Sequence, residues 1–312
     1  MRAVSRVVDR PVIGFFALAY GLAWGIWLLE VALARNSGLS TADFVAAIED
    51  GQFELVGGSD VPTWLLYLMT RIQDFSFSIA GLVMIVATAG TTGLLQLKNR
   101  LLRFNVPLSS YLLALTPIVL YGAAALIAAD TNSGAAVLDA SMVRTLSISL
   151  HAGFLVSLLL RGAMGEELGL RGFALPHLQQ RTTPRRASLV IGLGWAGWHL
   201  PVLVNTDPIS ATFIVLLIIG LSFVFTWLFN RSAGSLIPPL LFHGAQNWEE
   251  AFETIFPSIV ETDWEAIAAL GLLALSALAV TRVSGQRPGA RAPAHDTNPP
   301  PTPSNHRQTE SV

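Results

Sequence analysis

Apolar residues run through this chain in long blocks separated by short polar stretches, with none of the two-residue alternation of a half-buried strand. The blocks fall at Pro11 to Ala34, Asp74 to Leu95, Ser109 to Ala129, Met142 to Met164, Ala187 to Val204, Ala211 to Phe229, Leu236 to Phe256 and Trp264 to Val280. A helix needs ~20 mostly apolar residues to cross a bilayer. The pattern therefore predicts an all-α, polytopic membrane bundle of about eight transmembrane helices. A version with seven helices and one re-entrant segment stays open, because the stretch from Trp64 to Asp74 carries Arg71. The first block follows Arg2, Arg6 and Arg10 and is too long for the apolar region of a cleaved signal, so it reads as an uncleaved first helix.

Charge placement tests this reading, since cytoplasmic loops of membrane proteins collect Lys and Arg. With the N-terminus inside, the inner segments hold Arg2, Arg6, Arg10, Lys98, Arg100, Arg103, Arg181, Arg185, Arg186, Arg231, Arg282, Arg287, Arg291 and Arg307. Only Arg35 and Arg144 fall outside, among acids such as Asp43, Glu49, Glu54, Asp130, Asp207 and Glu261. The expectation is a multi-pass protein of the cell membrane with both termini cytoplasmic. Residues 93–104 mix apolar and basic positions at helical spacing, which predicts a basic amphipathic segment in the inner headgroup layer. Residues 283–312 are proline-rich and nearly free of large apolar side chains, which predicts a disordered cytoplasmic tail.

Composition agrees and excludes several classes. Only 13% of the 312 residues are charged, against about 25% in ordinary soluble domains. A formal net charge of -2 offers no basic face for nucleic acid. The absence of Cys removes disulfides, thiolate ligands and a thiol nucleophile.

Polar residues inside the apolar blocks are costly and persist mainly where they pair or work. Three clusters stand out. In Gly165-Glu166-Glu167-Leu168-Gly169-Leu170-Arg171, Glu167 and Arg171 are four apart with the acid first, the favoured order for a helical pair. Glu166 lies ~100° further round and has no such partner. In the second cluster Trp195 sits four before His199, and Pro201 bends or ends the helix beside them. In the third, His243 and Asn247 place an imidazole and a carboxamide on one helix face, as an oxyanion hole requires. Each has a purely structural counterpart: acids satisfying Arg161 and Arg171, a hydrogen-bonded core histidine, and an interhelical polar pair.

Together, a carboxylate, two imidazoles and an amide on separate helices form a set able to activate water and stabilise a tetrahedral intermediate. Amide hydrolysis follows as the leading expectation, with Glu166 as the base. The missing Cys and the missing Gly-x-Ser-x-Gly turn speak against a covalent thiol or α/β-hydrolase mechanism. Two other classes stay open: a transporter using the buried Glu and His residues as a proton relay, and a catalytically silent immunity or scaffold protein.

At these residues the chain resembles the CPBP family of intramembrane proteases, the CaaX-processing and bacteriocin-processing group related to the type II CaaX prenyl endopeptidase. Two glutamates followed by arginine appear as Glu166-Glu167-Leu168-Gly169-Leu170-Arg171, continuing into Gly172-Phe173-Ala174-Leu175-Pro176. The aromatic residue four before a histidine appears as Trp195 and His199, with Trp where Phe is commoner. His243 and Asn247 match the third motif. The resemblance implies that Glu166 and His199 activate the water and that His243 and Asn247 stabilise the oxyanion. It also implies support from Glu167, Arg171 and Trp195. Both metal-dependent and metal-free mechanisms have been argued for such proteins, so the cofactor stays open; Glu166, His199 and His243 would be the ligands of a divalent metal such as zinc. The implied partners are a peptide or protein substrate and the lipid bilayer. The resemblance divides the chain into N-terminal transmembrane helices at 1–140, a catalytic core at 141–282 and the tail at 283–312. His151 and His177 match no motif position and read as a packed helix residue and a cytoplasmic loop residue.

Overall fold

The computed structural model describes residues 10–37, 40, 62–131, 154–155, 158–159, 162–247 and 264–283. All regular structure among them is helical: α1 (Arg10–Ser37), α2 (Thr63–Asp74), α3 (Ser76–Leu101), α4 (Leu108–Ala114), α5 (Thr116–Thr131), α6 (Gly162–Gly169), a π-turn (Leu170–Ala174), α7 (Leu175–Gln179), α8 (Pro184–Trp198), α9 (Leu200–Leu203), α10 (Pro208–Arg231), α11 (Ile237–Gln246) and α12 (Trp264–Val283).

Among the described residues four helices, α1, α3, α10 and α12, are long and apolar enough to cross a bilayer. They leave large apolar side chains exposed, including Leu28, Val83, Leu216 and Leu270. Such surface is costly in water and at home in hydrocarbon. The chain is a polytopic helical membrane protein, and the four candidate spans among the described residues coincide with four of the eight blocks of the apolar pattern. The block from Ser109 to Ala129 is broken at Leu115, because Pro117, in the first turn of the next helix, has no N–H to continue the hydrogen-bond ladder back to Leu113. The block from Ala187 to Val204 divides at His199, ahead of Pro201. The Met142 to Met164 block, His151 and Arg161 lie mostly or wholly outside the described residues, as do Leu236 to Phe256 beyond Asn247 and the tail beyond Val283.

The segment at 93–104 is helical as far as Leu101 and has one buried and one exposed face. It continues α3 past a bend at Gly90, whose φ of 56° is open to glycine and strained for other residues. Leu97 is buried, and the Arg100 guanidinium turns inward. Its Nη1 donates to the Gly172 carbonyl at 3.0 Å, and the charge sits 5.6 Å above the Phe229 ring. One face of this end of α3 is packed against the core, and Leu95, Leu102 and Phe104 are exposed.

Local chemistry explains the helix starts that place the site. Thr183 caps α8 by accepting the Arg186 N–H, with Pro184 as its first residue. Asp207 caps α10, accepting the N–H groups of Ile209 and Ser210 at 3.0 Å. The bundle buries α6 between α3 and α11. A Cβ on Gly165 would collide with the Asp74 carbonyl, and one on Gly169 with that of Phe77, so the α6 backbone lies directly on residues 74–77. Ser78 Oγ donates to the Met164 carbonyl at 2.7 Å across this contact. On the other side, Tyr20 and Trp24 of α1 donate to the carbonyls of Gly194 and Trp198 in α8.

Candidate active site

Helix α6 carries both glutamates, and its rotation of ~100° per residue sends them to different surroundings. Glu167 is fully buried, and its Oε1 accepts from Arg171 Nη1 at 2.8 Å and from His243 Nδ1 at 2.9 Å. The first bond is the i, i+4 pair expected from the sequence. The second joins α6 to α11 across 76 positions and was not legible in any local motif. Arg171, on the π-turn, is also fully buried. Its guanidinium lies 4.2 Å over the Phe225 ring and 5.3 Å over Trp195, so aromatic faces share in holding the cation. Trp195 and Phe225 also flank the His243 ring, at 5.6 and 5.3 Å between centroids.

Glu167 accepts from Nδ1, so that nitrogen of His243 carries a hydrogen and Nε2 is left for other work. The geometry about Gly162, the first residue of α6, shows where it is. The Cβ position that Gly162 lacks lies 2.9 Å from Glu166 Oε1, 3.0 Å from Asn247 Nδ2 and 3.3 Å from His243 Nε2. Carboxylate, carboxamide and imidazole from two helices thus converge around one point. Glu166 is 6% exposed, and its Oε2 has no hydrogen-bond partner. Asn247 is the last of the three by position: it caps α11, and its backbone N–H bonds to the His243 carbonyl, which keeps the two residues on one face.

His199 forms the other side of the site. It caps α8, its Nδ1 is 2.9 Å from the Trp195 carbonyl, and its ring stands edge-on to Trp195 and Trp198. The carbonyl accepts, so here too the free nitrogen is Nε2. Trp198 donates through Nε1 to Ser76 Oγ at 2.9 Å, linking this helix end to the start of α3.

These residues line one cavity of about 500 Å³. Its polar side holds Glu166, His199, His243 and Asn247, together with Arg71 and Asp74 of α2, which pair at 2.9 Å. Its other side is a stripe on α10 formed by Ile214, Leu217, Ile218 and Leu221, at helical i, i+3, i+4 and i+7 spacing. Every motif residue expected from the sequence is therefore at or directly under one cavity. Sequence reasoning missed Gly162, Phe225, Trp198 and the Arg71–Asp74 pair. Only Arg71 carried a signal, as a charge beside an apolar block. His177 corrects its reading: it lies in α7, half-buried, with Nδ1 2.9 Å from the Phe173 carbonyl and its ring against Phe173.

The candidate ligands Glu166, His199 and His243 do not fit a metal ion. Among the described residues no three His, Cys, Asp or Glu side chains are grouped to hold one. The orientation of His243 by Glu167 serves equally a ring that works without metal.

Residues 148–248 match the family described as Type II CAAX prenyl endopeptidase Rce1-like. The chain is also similar to CAAX prenyl protease 2 of Methanococcus maripaludis, strain S2, with 34% identity over 96 residues. That match covers 28% of this chain and 35% of the relative, so the chain spans about a third of the length of the curated protein it resembles.

Proposed function

Because residues 148–248 carry a domain of the Rce1-like type II CAAX prenyl endopeptidase family, we propose that this protein is an intramembrane endopeptidase that hydrolyses a peptide bond in the cavity beside Glu166. The observation that carries this reading is the meeting of Glu166 Oε1, His243 Nε2 and Asn247 Nδ2 about Gly162. In this mechanism Glu166, assisted by His199, takes a proton from water while the water oxygen bonds to the peptide carbonyl carbon. The carbonyl π electrons move onto its oxygen. Asn247 Nδ2 donates to that oxyanion in any protonation state. His243 has its Nδ1–H committed to Glu167 and presents Nε2 to the same oxygen, donating when that nitrogen carries a hydrogen. Collapse of the intermediate breaks the C–N bond, and the leaving nitrogen takes the proton from Glu166.

The apolar stripe of α10 opposite these groups suits a peptide with aliphatic side chains next to the scissile bond. The CAAX prenyl protease 2 relative makes a prenylated carboxy-terminal peptide the first substrate to try. The sorting of Lys and Arg along the chain supports a cytoplasmic position for both termini. The test is cleavage of a quenched farnesylated peptide by the protein in lipid nanodiscs. Glu166→Gln should lower turnover by ~10³-fold or more while the protein inserts and unfolds as before. Full turnover in that variant sinks the reading.

A further inference from the structure

Gly162 belongs to none of the sequence motifs, yet it stands at the centre of the polar cluster. It lies four residues before Glu166 on α6, and helical side chains lean towards the N-terminus, so the Glu166 carboxylate covers the turn that Gly162 occupies. From the facing helix α11, Asn247 Nδ2 and His243 Nε2 approach the same place. All three neighbours of the missing Cβ are the ends of side chains, and none is backbone. Gly165 and Gly169 on the same helix are different: their missing Cβ atoms face the carbonyls of Asp74 and Phe77, where a methyl group would force helices apart.

We infer that Gly162 is a positioning residue for catalysis, and that its lack of a side chain keeps open the volume in which the attacking water and the substrate carbonyl meet. This rests on the endopeptidase reading above. A methyl group at this position fills that volume, pushes the Glu166 carboxylate aside and makes Asn247 Nδ2 and His243 Nε2 give by a few tenths of an ångström. The fold tolerates that displacement, because side-chain ends can rotate aside, and catalysis does not. Misplacement by about 1 Å at a reacting centre costs ~10²-fold in rate.

The experiment compares Gly162→Ala, Gly165→Ala and the unmodified protein in nanodiscs with the quenched farnesylated peptide. Gly162→Ala should lower kcat by ~10²-fold and change KM by no more than about threefold. Its thermal midpoint should stay within ~3 °C of the unmodified protein. Gly165→Ala should lose thermal stability and activity together. Unchanged kcat in Gly162→Ala overturns the inference, as does a fall in its midpoint equal to that of Gly165→Ala. A second measurement is independent of turnover: in protein labelled with [15N]histidine, Gly162→Ala should shift the ring resonances of His243 and leave those of His177 in place. If the unmodified protein cleaves nothing, the endopeptidase reading fails, and an unmoved His243 ring then overturns the inference as well.

Discussion

Two neighbouring glutamates in one helix show how differently a buried acid can be held. Beneath the cavity, Glu167, Arg171 and His243 form a set in which one carboxylate oxygen serves two donors and aromatic rings cover the cation, while Glu167 Oε2 and Arg171 Nε and Nη2 make no hydrogen bond. Beside the cavity, Glu166 is nearly as buried, but it lines the cavity, makes neither of those two bonds, and its Oε1 faces the open position at Gly162. The lower set is built for rigidity. The upper acid differs in facing the cavity, where a base must meet water and substrate.

The largest effect should come from opening the lower set. Arg171→Ala leaves the buried Glu167 carboxylate without its cation, and breaking one side of a buried ion pair costs ~3–5 kcal/mol. Thermal unfolding in detergent should show this loss, with cleavage abolished alongside. An Arg171→Ala protein that unfolds like the parent would erase the contrast between the two sites. Glu167→Gln is milder, since the amide oxygen still accepts from Arg171 or His243 but the charge-assisted bonds that hold both donors are weakened. Turnover should fall by ~10–100-fold, the range seen when the orienting partner of a functional histidine is changed, with a smaller loss of stability than in Arg171→Ala. Equal turnover in Glu167→Gln and the parent would make the His243 contact structural only.

The smallest effect is expected at a carboxylate that is satisfied in water. Asp207 is fully exposed, and its hydrogen bonds with Ser210, followed by that from the Ile209 N–H, hold its carboxyl below the usual carboxylate range. A lowered folded-state value means that its contribution is complete above the ordinary range and fades as pH falls through the lowered value. Asp207→Ala should reduce the thermal midpoint by ~1–3 °C at neutral pH, less in acid, and leave cleavage unchanged. A loss as large as that of Arg171→Ala would show that pairing, without burial, decides how much these acids contribute.

Local spacing revealed what lies within a turn or two of helix. Glu167 and Arg171, Trp195 and His199, and His243 and Asn247 are each four apart, and each pair meets as that spacing requires. The bonds that make them one site run between helices: His243 to Glu167, Trp198 to Ser76 and Arg100 to the Gly172 carbonyl. No periodicity encodes those partners. Hydropathy located the helices but not their continuity, because a window that counts apolar residues passes over Pro117 and Pro201, beside which the helices break. Gly162 was invisible for another reason. Its role is carried by an atom it lacks, and only the neighbours converging on that space reveal it.

The bare backbone contact of α6 with residues 74–77 bears on the order of assembly. The chain is made from its N-terminus, so α2 and α3 are in place before α6 emerges. They present a slot only as deep as a glycine backbone, and the helix bearing Glu166 and Glu167 must slide into it with Gly165 and Gly169 facing the wall. Moving residues 148–248 onto unrelated helices would leave the acids intact and remove the slot that sets their depth. In this protein the chemistry sits on the later helices, while its alignment depends on the earlier ones.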